Sequence, residues 1–162
     1  MGSTFSFVKS KIMRILAWLF ISTLSLSVYA QSQQPSSSSE IYQKLQKFGT
    51  LGSVLYIAAH PDDENTRLIS WLANDKKYET AYLSLTRGDG GQNLIGSEKW
   101  EYMGLLRTHE LLQARSIDGG TQFFTRAVDF GYSKTAEETL EKWNEDHILF
   151  DMVWVIRKFQ PD

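Results

Sequence analysis

The chain has 162 residues, with 17 lysine and arginine residues against 19 aspartate and glutamate residues, three histidines and no cysteine. A hydrophobic fraction of 42% and an aromatic fraction of 13% are typical of a globular protein and exclude a disordered, collagen-like or disulfide-stapled chain. The nearly balanced charge argues against nucleic acid as a partner, because nucleic-acid binding needs a clustered basic surface. Without cysteine, any metal ion must be held by histidine nitrogens and carboxylate oxygens.

Residues 1–30 have the layout of a secretory signal. Basic residues precede an apolar run of 14 residues from Ile15 to Val28, and the segment ends at the small residue Ala30. This layout predicts export to the periplasm or the outside of the cell, with cleavage after Ala30. The alternative is an uncleaved membrane anchor over residues 12–30, although the apolar run is shorter than the roughly 20 residues of a membrane-spanning helix.

A polar spacer separates this segment from the rest of the chain. Residues 31–39 read QSQQPSSSS, which lacks apolar periodicity and predicts a flexible linker. Residues 40–162 then form the predicted globular domain, and their number suffices for one hydrophobic core.

Helix and strand patterns alternate along this domain. Apolar residues at helical spacing predict helices, and short apolar runs rich in β-branched and aromatic residues predict buried strands. Four glycines in the stretch from Arg87 to Ser97 predict a loop, and Thr135 with Glu138 matches a capping box. In chain order we predict a helix over 40–48, a strand over 54–59, a helix over 64–74, a strand over 80–86, a helix over 102–116, a strand over 121–128, a helix from 135 to about 143 and a helix from about 146 to 159.

This alternation predicts an α/β fold. We expect a Rossmann-like, three-layer αβα domain with a mainly parallel sheet and right-handed crossovers. Pro161 and Asp162 follow the last predicted helix, at the point where a doubly wound chain would begin another strand. We therefore expect the domain over residues 40–162 to be truncated on its C-terminal side.

Chemically active residues are concentrated in His-Pro-Asp-Asp-Glu, from His60 to Glu64, directly after the first predicted strand. In open α/β sheets, ligands bind beyond the carboxyl ends of the strands. His60 and Asp63 lie three residues apart across a tight turn and suit a shared Zn²⁺ ion or another divalent metal. Asp62, beside the metal, is a candidate general base. The alternative is that Asp62 and Asp63 only cap the following helix.

The stretch from Ala59 to Glu64, after a hydrophobic strand, resembles the motif of the PIG-L/LmbE family of zinc-dependent N-acetylglucosamine de-N-acetylases. The resemblance continues through residues 85–93, 106–111 and 129–131 and covers about residues 53 to 162. The Arg-Gly-Asp-Gly-Gly-Gln segment and the secretory leader are most similar to the exported bacterial branch of that family.

The resemblance implies that His60 and Asp63 are zinc ligands, that Asp62 is the general base, and that Arg107 and Asp129 bind the sugar. The implied reaction is hydrolysis of the N-acetyl group of an N-acetylglucosamine-type sugar conjugate, which releases acetate and a free amine. The family's third zinc ligand is a histidine after a later strand, and nothing before Asp162 matches it. We therefore expect this chain alone to be weakly active or inactive.

Two other interpretations remain open. The first is a non-catalytic carbohydrate- or partner-binding remnant of the same fold, and the second is a membrane-anchored α/β domain whose metal motif is only structural. His109 within a helix and His147 at the start of the last helix are expected to be solvated or capping residues rather than ligands. The glycine-rich segment 87–91 is expected to be a flexible loop beside the site, with a phosphate cradle as the alternative.

Overall fold

The structure, a computed structural model, describes residues 13–16, 18, 36–91, 96, 97 and 99–162. Contacts divide the chain into two units, Met1–Gln43 and Lys44–Asp162. Residues 13–16 and 18 are helical. Within the described ranges, no helix is both long enough and apolar enough to cross a membrane. The signal segment and the linker lie almost wholly outside those ranges and stay predictions.

Helices and strands alternate as the sequence predicts. The elements are α1 (Ser38–Phe48), β1 (Ser53–Ala58), α2 (Thr66–Ser70), β2 (Glu79–Thr86), α3 (Glu101–Asp118), β3 (Thr121–Ala127), α4 (Ala136–Trp143) and α5 (Glu145–Phe159). Helix α2 continues directly into one turn of π-helix, Trp71–Asp75.

The three strands form one parallel sheet in the order β1-β2-β3. Tyr82 in the central strand is in register with Tyr56 of β1 and Gln122 of β3. Strand β2 is almost entirely buried, as expected of the central strand of a parallel sheet that is covered on both faces. The α/β prediction with a parallel sheet is therefore confirmed.

Helices cover the two faces of this sheet. On one face, Tyr82 packs in a core cluster with Ile69 of α2 and Leu111 of α3. Gln122 of β3 is paired with Tyr82, and side chains alternate along a strand, so Phe123 lies on the opposite face of the sheet. On that second face, Phe123 of β3 meets Phe159 of α5, with ring centroids 6.1 Å apart. The result is the three-layer arrangement expected from the sequence.

The carboxyl ends of the three strands lie at one edge of the sheet. Ala59 follows β1 and Arg87 follows β2, and the two strand ends are joined by hydrogen bonds. The amide and the hydroxyl of Thr86 donate to the Ala59 carbonyl at 2.9 and 3.1 Å. This edge therefore brings together the loops that carry the motif residues.

The beginning of α2 differs from the prediction. The helix begins at Thr66 rather than at Glu64, and Asn65 is its N-cap, with its side-chain oxygen accepting from the Leu68 amide at 3.0 Å. Asparagine is among the best N-cap residues, and here it takes the capping role that the alternative interpretation gave to Asp62 and Asp63. Asp62 and Asp63 therefore lie in the turn before the helix and are not its caps.

Candidate functional site

A small cavity opens at the carboxyl edge of the sheet. Three loops and one residue of α3 form its walls, and its volume is about 290 Å³. Four of the five residues singled out from the sequence line it, and the fifth, Asp63, contacts the lining residue His60. The lining residues are His60, Pro61, Asp62, Gly88, Gly90, Gly91, Arg107, Asp129 and Gly131.

His60 and Asp63 face each other across the turn after β1. His60 Nδ1 lies 3.2 Å from Asp63 Oδ2, and the same oxygen accepts a hydrogen bond from the His60 amide at 2.9 Å. Both side chains remain partly exposed, at 38% and 46%. The turn closes with a bond from the Asp63 amide to the His60 carbonyl at 3.3 Å. The local fold therefore holds the two predicted ligands together.

Two tyrosines of the sheet hold this turn from below. The Tyr82 hydroxyl donates to the His60 carbonyl, and the Tyr56 hydroxyl donates to the Asp63 carbonyl at 3.3 Å. Burial raises the pKa of Tyr82 well above its ordinary value, so its hydroxyl keeps the proton that it donates. The main chain on both sides of the turn is thus anchored to the core.

Asp129 lies behind His60 at the end of β3. Its side chain is only 7% exposed, and its Oδ1 lies 3.7 Å from His60 Nε2. The same oxygen accepts from the Gly131 amide at 2.9 Å, which closes a tight turn. His60 therefore has a carboxylate near each of its ring nitrogens, Asp63 on one side and Asp129 on the other.

Asp62 points to the cavity and to α3. Its side chain is 71% exposed, and its Oδ2 lies 3.2 Å from Nη2 of Arg107. Arg107 Nε is buried and has no hydrogen-bond partner within the described ranges, although Glu110 Oε2 lies 3.8 Å away. The pair places one negative and one positive group at the mouth of the cavity, where a polar substrate would meet both.

The glycine-rich loop after β2 covers the cavity from a second side. A Cβ atom on Gly90 would lie 2.7 Å from the Gly131 nitrogen and 2.9 Å from the Asp129 carbonyl oxygen, so only glycine fits there. Gly88 adopts a positive φ of 71°, which favours glycine. The described part of this loop, residues 87–91, therefore packs against the turn that carries Asp129. Its continuation over residues 92–95 lies outside the described ranges.

A buried ionic cluster under the site was not predicted from the sequence. Arg115 of α3 is 4% exposed and binds Asp118 through Nε and Nη2, with a shortest distance of 2.6 Å. Arg115 Nη2 also lies 3.4 Å from Oε1 of Glu64, whose side chain is 7% exposed. Burial raises the pKa of the Glu64 carboxyl, and the positive charge of Arg115 opposes that rise. The i,i+3 spacing of Arg115 and Asp118 was the only sequence signal for this cluster, and it does not reveal burial.

The His60 and Asp63 donors fit a divalent metal ion. An imidazole nitrogen and a carboxylate oxygen are both zinc ligands, and two ligands on one tetrahedral ion at ~2.0–2.2 Å are roughly 3.3–3.6 Å apart. The observed separation of 3.2 Å is close to that range. Within the part of the chain that the structure describes, no group of three or more histidine, aspartate or glutamate side chains could hold a metal. The pair is therefore a partial ligand set.

Comparisons with known proteins agree with the fold and the motif. The chain resembles a solved structure of N,N'-diacetylchitobiose deacetylase from Pyrococcus horikoshii in complex with its inhibitor MPG, with a TM-score of 0.51 and 21% identity. The match covers 80% of this chain and 49% of that one, so the chain spans about half the length of the archaeal structure. No curated protein sequence gives a significant match. The family model described as PIG-L, GlcNAc-PI de-N-acetylase, matches residues 55–162, and the chain therefore belongs to the PIG-L family.

Proposed function

We propose that this chain carries the loop with the metal ligands and the general base of a metal-dependent hydrolase. This hydrolase removes the acetyl group from an N-acetylglucosamine-type sugar conjugate. The observation that carries the proposal is the convergence of His60 Nδ1 and Asp63 Oδ2, 3.2 Å apart, beside the exposed carboxylate of Asp62. Family membership and the fold of a chitobiose deacetylase support the same chemistry.

His60 and Asp63 would hold the metal ion, which we infer to be Zn²⁺. Such an ion would act as a Lewis acid that polarises the amide carbonyl and lowers the pKa of water. Asp62 is placed to act as the general base, because its carboxylate is exposed at the cavity and is separate from the ligand pair. Asp62 accepts a proton from the attacking water and returns it to the sugar nitrogen as the C–N bond breaks. The products are acetate and the free amine.

Arg107 and Asp129 define the remaining walls of the cavity. Arg107 pairs with the Asp62 carboxylate and presents a guanidinium to the hydroxyl groups of a sugar. Asp129 is nearly buried and points to the Nε2 side of His60, so its carboxylate also favours the ring orientation in which Nδ1 faces Asp63. A carboxylate behind a metal-bound histidine commonly fixes its tautomer. We therefore propose both a sugar-binding role and an orienting role for Asp129.

The number of metal ligands determines the Zn²⁺ affinity that we expect. Catalytic zinc sites normally have three protein ligands and one water, and the described residues supply two. We expect the chain alone to bind Zn²⁺ weakly and to turn substrate over slowly. The same observation favours a second candidate function, a carbohydrate-binding domain of the same fold without catalysis.

The two candidates are separated by an acetate-release assay. The chain is incubated with Zn²⁺ and an N-acetylglucosamine glycoside, and binding of the same glycoside is measured by NMR. Asp62→Asn is expected to lower acetate release by about 10²–10⁴-fold, the usual contribution of a general base. Asp75→Asn is the matched control, because Asp75 is similarly exposed, at 64%, and lies outside the cavity.

Each outcome of this assay has one meaning. Release of acetate that depends on Zn²⁺ and on Asp62, but not on Asp75, supports the hydrolase. Binding of the glycoside with no release by any variant supports the carbohydrate-binding domain. Release that persists in Asp62→Asn at the unchanged rate contradicts the role of Asp62.

A further inference from the structure

The three consecutive carboxylates after Pro61 point in two directions. Asp62 and Glu64 both reach α3, where they meet Arg107 and Arg115 at 3.2 and 3.4 Å. Asp63 lies between them and turns instead to His60. The two arginines are eight residues apart on one helix, which corresponds to about 12 Å. The loop is thus tied to α3 on both sides of the candidate ligand Asp63.

Arg115 is the more rigid of these two ties. Its guanidinium binds Asp118 through two nitrogens and Gln122 Oε1 through Nη1 at 3.2 Å, so its position is fixed by both α3 and β3. Glu64 and Arg115 are 7% and 4% exposed, so solvent does not compete for their contact. Glu64 does not line the cavity at the carboxyl edge of the sheet; it lines a neighbouring pocket together with Asp62 and Arg107.

We propose that Arg115, acting through Glu64, is a positioning residue for the Asp63 carboxylate. Glu64 follows Asp63 directly, so fixing its side chain against α3 fixes the main chain from which the Asp63 carboxylate turns to His60. The same contact holds the loop against the helix that carries Arg107. This inference rests on the proposed function, because it explains the contact between Glu64 and Arg115 by the need to position Asp63, a proposed metal ligand.

Two substitutions of Glu64 separate positioning from packing. Glu64→Gln keeps the length of the side chain and an oxygen that can accept from Arg115. Glu64→Met has a similar size but offers no such acceptor. In both variants Arg115 keeps its partners Asp118 and Gln122, so no buried charge is left unpaired.

Two measurements report on Asp63. The first is the NMR chemical shift of the His60 amide proton, which follows the hydrogen bond to Asp63 Oδ2 and needs no metal. The second is the affinity for Zn²⁺. We expect Glu64→Gln to keep both values close to those of the unchanged chain. We expect Glu64→Met to move the amide shift and to weaken Zn²⁺ binding by at least about 10-fold, the usual effect of losing an outer-shell partner.

Thermal unfolding is measured alongside. If Glu64→Met does not fold, Arg115→Lys replaces it, because a lysine ammonium keeps charge for Asp118 but lacks the planar fork that reaches a second carboxylate. The same change in the His60 amide shift is expected. The inference is overturned if the methionine variant matches the unchanged chain in both measurements. It is also overturned if the glutamine and methionine variants change the His60 amide shift and the Zn²⁺ affinity by equal amounts.

A failure of the proposed function is distinguishable from a failure of this inference. If the unchanged chain binds no Zn²⁺, the proposed metal site is wrong. The His60 amide shift in the three chains then decides alone whether Glu64 positions Asp63.

Discussion

One oxygen of Asp63 is joined to His60 twice: Oδ2 accepts from the His60 amide at 2.9 Å and lies 3.2 Å from the ring nitrogen Nδ1. The amide bond fixes where the carboxylate sits, and the ring then faces it from the same residue. Such a pair needs little reorganisation to share an ion, because both donors already point to one region. The turn after β1 therefore already holds His60 and Asp63, the two proposed metal ligands, next to each other.

The first prediction concerns metal binding by this pair. His60→Ala removes one of the two donors, and Asp63→Asn removes the negative charge while its amide oxygen can still accept from the His60 amide. We expect both variants to lose saturable Zn²⁺ binding in calorimetry, since even outer-shell changes cost roughly 10–100-fold. His109→Ala, which alters an exposed residue of α3, is expected to bind as the unchanged chain does. Equal Zn²⁺ binding by all three variants would show that the ion binds elsewhere.

The second prediction tests the carboxylate behind His60. Asp129→Asn retains an oxygen for the Gly131 amide, so the turn is expected to stay folded, but it removes the charge that lies 3.7 Å from His60 Nε2. We expect Zn²⁺ affinity to fall by about 10-fold or more, with little change in melting temperature. The measurement is a zinc titration followed by the NMR signals of the His60 ring. An unchanged affinity would restrict Asp129 to a structural or sugar-binding role.

Much of the fold could be predicted because its signals are local. The apolar run before Ala59 indicated a strand, and β1 forms there, although it lies at the edge of the described sheet and is only partly buried rather than buried on both faces. The Thr135 hydroxyl does accept from the Glu138 amide, at 3.2 Å. The Glu138 carboxylate reaches back to the amide of Lys134 at 3.1 Å, one residue before the one that a capping box predicts. The pairing of His60 with Asp63 was also predictable, because three residues across a tight turn leave few places for either side chain.

Contacts between distant parts of the chain could not be predicted in this way. The ionic tie between Glu64 and Arg115 joins residues 51 positions apart, and neither residue type indicates burial. The same holds for Tyr82, whose hydroxyl supports the His60 carbonyl from a neighbouring strand. The beginning of α2 was misplaced because Asn65 competes with two adjacent aspartates for the same capping role, and sequence alone does not rank them.

The third prediction concerns the contact between the glycine-rich loop and the Asp129 turn. In Gly90→Ala the added Cβ would lie 2.7 Å from the nitrogen of Gly131, a backbone atom that cannot move without the turn. We expect a loss of about 1–3 kcal/mol in the free energy of unfolding, the range for overpacking, measured by urea denaturation. Gly49→Ala is the matched control, because its Cβ would meet only an ordinary contact at 3.8 Å. Equal stability of the two variants would contradict the close approach.

The last prediction is a pH dependence of stability away from the site. Asp151 of α5 binds Arg126 of β3 through two side-chain bonds, at 2.7 and 2.9 Å, and also accepts from the Arg126 amide at 2.9 Å. Hydrogen bonds from the Arg126 side chain hold the pKa of Asp151 below its ordinary value of 3.8, against the opposing effect of burial. The carboxylate therefore binds a proton less readily in the folded chain than in the unfolded chain.

It follows that Asp151 stabilises the fold above its unfolded-state pKa, and that this stabilisation is lost as the pH falls through the lower pKa of the folded state. Asp151→Asn is expected to unfold at lower urea than the unchanged chain at about pH 7, and the gap should close toward about pH 2. Arg126→Gln should reproduce this pH dependence, and the double variant should add little to either single one, because the two side chains act as one pair. A gap between the unchanged chain and Asp151→Asn that stays constant across this range would show that the ion pair does not set the pKa of Asp151.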